Sequence, residues 1–310
     1  MHYFGMRAKG LLLSDGNRVE LEVETQYPFE DQVRITVAAT RGFKLRVRIP
    51  AWAEAAEPSV VVACAGAPVQ RLTKLRAGMQ ALKLEPGRCN VALTLPMHVR
   101  VERRPAYRLS ANVSVDTNAV NIFRGPLLYA MPRTYVIDLG EPYGLDKEQA
   151  RNHVLLGTGD WRWALRINDD TNPEADLRYV PNDATPKELP AGQGPFALSL
   201  ASGNIRAMAQ LLPDSLWLPV QPPPNASHSA SLRPAPPGVG RGAPFECINH
   251  NVSTVDGKDY TCIWTGHPPK SPVSSVTSKL VEIILLPFGA TDLRISEMPT
   301  TTSSDERLNV

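Results

Sequence analysis

Cysteine is scarce in this chain, with four residues in 310, and the four lie far apart. Cys64, Cys89, Cys247 and Cys262 include no pair at the two-residue spacing that brings thiolates onto one metal. A structural zinc site is therefore not expected. Four separate buried thiols are the expected state, with a Cys247–Cys262 bridge across a turn-rich segment as the alternative. Charge of one sign is lacking as well. Lys and Arg number 33 against 31 Asp and Glu, a formal net charge of +2, so no field draws nucleic acid or an anionic membrane surface, and neither is an expected partner. Long hydrophobic runs are also missing. The longest, such as Val60–Ala65 and Ile283–Phe288, fall far short of the roughly 20 residues of a membrane helix. The first 13 residues carry neither an extended apolar region nor a small-residue cleavage site, so no signal peptide is expected. Three acceptor triplets for glycosylation, Asn112-Val113-Ser114, Asn225-Ala226-Ser227 and Asn251-Val252-Ser253, have meaning only in a secretory compartment. An extracellular or secretory location therefore follows if the chain is part of a longer exported protein.

Turn residues, by contrast, are abundant. Twenty-nine prolines and 21 glycines interrupt the chain about every six residues, which leaves little room for helices of ordinary length. Between them run short alternating or β-branched stretches. Leu11–Leu13 and Val19–Glu24 flank Asp15-Gly16, a pair that tolerates the positive φ of a tight hairpin turn. Val33–Val37 and Lys44–Ile49 place apolar side chains on one face and charged or polar ones on the other, as half-buried strands do. Val60–Ala63, Gln80–Leu84 and Val91–Leu95 add three more. Strands at this spacing predict an all-β fold of two consecutive antiparallel β-sandwich, jelly-roll-like domains. The boundary is placed near Pro132, where proline would interrupt a central strand and a polar stretch, Asp138–Ala150, follows. Residues 1–132 form one domain and 133–310 the other. In the second, Trp161–Leu165, Ile205–Leu212, Tyr260–Trp264, Lys279–Leu286 and Asp292–Ser296 read as strands. Residues 219–244, with eight prolines, read as a surface loop, and Thr300–Val310 as a frayed tail.

Particular segments resemble the β-sandwich region that follows the catalytic barrel in family 127 glycoside hydrolases, which are β-L-arabinofuranosidase-like proteins. In the first half they are Thr25-Gln26-Tyr27-Pro28-Phe29 leading into Val33–Val37, Arg48-Ile49-Pro50-Ala51-Trp52, Leu95-Pro96-Met97 with Val99-Arg100, and Arg124–Tyr129. In the second they are Asp160–Leu165 and Leu286–Glu297. The resemblance implies an exo-acting hydrolase of β-linked L-arabinofuranosides, in which a cysteine thiolate attacks the sugar and zinc, held by cysteines and a glutamate, tunes it. Those residues belong to the family's helical barrel, where a pair of adjacent cysteines precedes the middle sandwich. This chain has no adjacent cysteines. No catalytic or metal residue is therefore assigned, no cofactor is expected within the chain, and zinc is expected in the barrel. The expected partners are that barrel and arabinose-containing glycans.

Chemistry within the chain itself finds little support in the residues. Glycoside hydrolysis ordinarily needs two carboxylates about 5 to 9.5 Å apart across a cleft. Glu30/Asp31 and Asp169/Asp170 are adjacent pairs, and neighbours on a strand point to opposite faces; in loops they read as turn formers and solvated charges. The six histidines, His2, His98, His153, His228, His250 and His267, lack metal-site spacing, and only His250 and His267, near Cys247 and Cys262, lie close to possible co-ligands. No Gly-x-Ser-x-Gly elbow is present. Trp161 and Trp163 alternate by two and so would share a strand face, a sugar-stacking platform if that face is open and a core contact if it is not. The platform supports a second reading, a stand-alone carbohydrate-binding or adhesion module.

Overall fold

The computed structural model describes residues 6–110, 113–142, 151–158, 160–182, 203–213, 265–274 and 278–302, with short stretches at 216, 218–219, 252–253, 259–260 and 276. It is all-β apart from a few single turns of 3-10 helix, and the strand pairings are almost all antiparallel.

The described chain divides into two compact units. The first holds residues up to Val99 together with Phe123–Leu127, and the second Arg100–Ile122 and the chain from Leu128 onward. Eight strands build the first unit: β1 (Met6–Leu12), β2 (Arg18–Thr25), β3 (Gln32–Ala39), β4 (Phe43–Ile49), β5 (Ser59–Cys64), β6 (Gln70–Leu72), β7 (Gly78–Leu84) and β8 (Gly87–Thr94). Six of them form a sheet in the order β1-β2-β3-β8-β5-β6, and β4 pairs with β7 as a separate two-stranded sheet. Period-two patterning explains the layering. Val33, Ile35, Val37 and Ala39 of β3 and Cys89, Val91 and Leu93 of β8 are buried, while Gln32, Arg34, Arg88 and Asn90 between them are exposed. Val47 and Ile49 of β4 and Leu82 and Leu84 of β7 enter the same apolar cluster from the other sheet. The two layers therefore share one core, as in a sandwich. Each fully buried Val, Leu or Ile in it contributes about 1.5 to 3 kcal/mol relative to exposure.

The first hairpin follows the sequence closely. Gly16 takes φ +78°, and its N–H donates to the Leu13 carbonyl at 2.9 Å. Asn17, fully buried, ties this turn to the next: its Nδ2 donates to the Arg41 carbonyl, and its Oδ1 accepts from Arg41 N–H and the Thr40 hydroxyl, each at 2.9 Å.

A larger sheet, built mostly of second-unit residues, runs Thr300–Thr301, Trp163–Arg166, Gly203–Leu211, Leu280–Pro287, Leu127–Pro132, Val120–Arg124, Val99–Arg103. Ile205, Ala207 and Ala209 are buried, alternating with half-buried Asn204, Arg206 and Met208. Residue 132, the expected boundary, ends the strand Leu127–Pro132. Strand pairing draws Leu128–Pro132 into the second unit, through Ala130↔Leu286 and Met131↔Ile295.

Thr134–Pro142, which enters the polar stretch Asp138–Ala150, pairs antiparallel with Arg151–Thr158 in register Val136↔Leu156. Two expectations are corrected. Thr300 and Thr301 are not frayed; they pair in parallel with Leu165 and Arg166 and are fully buried. Cys64 and Cys89 are not separate thiols. They face each other across β5 and β8 and form a disulfide. The loop 219–244 lies almost wholly outside the described residues, as do Cys247 and Cys262 and the three acceptor asparagines.

Candidate functional site

The candidate sugar platform is built differently from its sequence expectation. The strand begins at Trp163, so Trp161 precedes it, and strand alternation does not set the two rings side by side. Trp161 is 5% exposed, and the Arg133 guanidinium lies over its ring at 5.3 Å from the centroid. Trp163 is half-buried, pairs with Leu211 and donates its indole N–H to the Asp160 carbonyl at 3.2 Å. Trp161 is thus closed off by packing, and the two rings do not form one open face.

The adjacent acids diverge. Asp169 accepts from the Thr171 hydroxyl at 2.7 Å and from Thr171 N–H at 2.8 Å. These two donors hold its carboxyl below the ordinary aspartate range. Asp170 instead takes a two-pronged contact from Arg103, through Nε and through Nη2 at 2.8 Å. One acid closes a turn and its neighbour fixes an arginine, so they do not address one substrate. Glu30 is exposed and Asp31 half-buried, and the Asp31 carbonyl accepts Leu95 N–H at 2.7 Å.

Sequence reasoning missed a buried polar belt that binds the C-terminal strand. Thr300 N–H donates to the Ser271 hydroxyl at 3.0 Å, and the Thr301 hydroxyl donates to the Val273 carbonyl at 3.1 Å. Gln210 Nε2 donates to the Ser278 carbonyl at 2.7 Å. Arg103 Nη1 reaches the Asn118 carbonyl at 3.1 Å, and Asn118 Nδ2 the Ser271 carbonyl at 3.1 Å. Arg104 pairs with Glu297. These contacts join residues up to 193 positions apart, and no local motif announces them. Their polar groups satisfy one another, as buried polar groups must.

Among the described residues no three His, Cys, Asp or Glu side chains gather, and the Cys64–Cys89 bond removes both thiolates. His98 is exposed; His2, His228 and His250 lie outside the described residues.

Residues 6–97 match the sequence model of a family described as β-L-arabinofuranosidase, GH127 middle domain. No curated protein matches the chain. Among solved structures, a GH127 β-L-arabinofuranosidase from Geobacillus stearothermophilus T6 aligns over 96% of this chain and 32% of its own, at 15% identity and a TM-score of 0.47. A protein described as a glycoside hydrolase aligns over 96% and 34%, at 17% identity and 0.46. A GH127 β-arabinofuranosidase does so over 96% and 34%, at 15% and 0.46. The chain spans about a third of the length of each.

Proposed function

We propose that the chain is the accessory β-sandwich portion of a β-L-arabinofuranosidase-like glycoside hydrolase. It braces a catalytic helical barrel that lies outside these residues and borders the entrance through which arabinose-containing glycans reach it. The match of residues 6–97 to the GH127 middle domain carries this reading. The site geometry is consistent with it. Adjacent acids are engaged in a turn and an ion pair, and polar side chains within the second unit serve to hold strands together. Zinc and the thiolate nucleophile belong, on this reading, to the barrel. The stand-alone sugar-binding alternative has less support, because Trp161 is buried.

Reading the transcript upstream of the Met1 codon tests the proposal. An in-frame helical segment bearing adjacent cysteines supports it. A stop codon with no such segment at the locus contradicts it.

A further inference from the structure

The strand Leu127–Pro132 delivers Arg133 to a partly open position. Pro132 and Thr134 on either side are exposed, and Arg133 itself is half-buried. Its main chain is fixed, because its N–H donates to the Leu293 carbonyl at 2.8 Å. The guanidinium carbon stands 5.3 Å from the Trp161 ring centroid, inside the roughly 6 Å over which an indole face attracts a cation. Trp161 is anchored in turn. It is 5% exposed, and the next residue's carbonyl accepts Leu212 N–H at 2.7 Å.

Arg103 has Asp170, Arg104 has Glu297 and Arg206 has Glu282, whereas among the described residues no carboxylate forms an ion pair with Arg133. Its Nε is buried with no acceptor. Burial, with no charge to offset it, holds its pKa below the ordinary arginine value. A partly desolvated cation without an anion is unfavourable. A guanidinium immobilised on an aromatic face, with N–H groups still unengaged, is the geometry that takes a planar two-oxygen anion bidentately.

We infer that Arg133, seated on Trp161, is a binding site for a small carboxylate ligand, supplied either as a simple organic acid or as the carboxylate of a uronic acid sugar. The site is independent of the arabinofuranosidase reading and stands or falls without it.

Titrating the full chain with sodium glucuronate, sodium acetate and glucose, at ionic strength matched with sodium chloride, tests the inference through tryptophan fluorescence and calorimetry. Saturable uptake of glucuronate but not glucose is expected. Acetate binding as well would mark a site for the bare carboxylate, and glucuronate alone a site for an acidic sugar; either supports the assignment. Arg133→Lys, which keeps the charge but not the fork, is expected to weaken uptake at least about tenfold, and Arg133→Met to abolish it, with circular dichroism reporting that each variant is folded. Should Arg133→Met fail to fold, Arg133→Lys and the unmodified chain still decide the matter. Absence of saturable uptake of both carboxylates, or unchanged affinity in the folded variants, overturns the inference.

Discussion

Cys64 and Cys89 stand directly opposite each other on antiparallel strands β5 and β8 and are covalently joined, 25 residues apart in sequence. The bond clips together two strands of the six-stranded sheet, and the chain between them supplies β6 and β7. Closing a loop of that length is worth about 3 to 4 kcal/mol through the unfolded state's lost entropy. Cys64→Ser, Cys89→Ser or full reduction is expected to lower stability by about that amount. Urea unfolding with and without dithiothreitol measures it. An unchanged midpoint, with the thiols shown to be reduced, contradicts a structural role for the bond.

Trp161 is a packing residue with Arg133 over its ring. Trp161→Ala is expected to cost about 3 to 5 kcal/mol, as removal of a large buried aromatic does. Half-buried Trp163 is expected to cost less when truncated. Paired with that, titration with arabinose oligomers is expected to leave the fluorescence of both rings unchanged. A saturable fluorescence response lost in either variant, with stability unaltered, would restore the sugar platform.

Asp169 supplies a pH test of sign. Its folded pKa is depressed, chiefly by the Thr171 hydroxyl and then by Thr171 N–H. The stabilisation is therefore present above the unfolded aspartate pKa and is lost as pH falls through the lower folded value. Thr171→Ala is expected to destabilise near neutrality, and its gap from the unmodified chain is expected to shrink below the ordinary aspartate range. Denaturation midpoints measured from neutral to strongly acidic pH show this directly. A gap that stays constant or widens toward acid would show that the Thr171 hydroxyl does not act through the ionised carboxylate.

Much of the first unit was legible because its signals are local. The alternation of Val33, Ile35 and Val37 against Arg34 and Thr36, and the Asp15-Gly16 turn, need only near neighbours to be read. The second unit was less so. Thr300 and Thr301 look like a polar tail, and only Ser271, Val273 and Gln210 from distant strands make them core residues. Trp161 and Trp163 alternate by two in sequence, but the strand starts only at Trp163, and the Asp160 carbonyl that accepts the Trp163 indole N–H has no composition cue. The Cys64–Cys89 bond depends on the β5–β8 register, which a sequence read strand by strand does not provide. That Arg133 forms no ion pair among the described residues is visible only once the positions of Asp170, Glu297 and Glu282 beside other arginines are known.

Hydrolysis of an aryl β-L-arabinofuranoside by the purified, oxidised chain is the most direct measurement. With Cys64 and Cys89 bonded and the adjacent acids engaged with Thr171 and Arg103, no release above the buffer rate is expected. Saturable release that copurifies with the chain and disappears on its unfolding would contradict the accessory role.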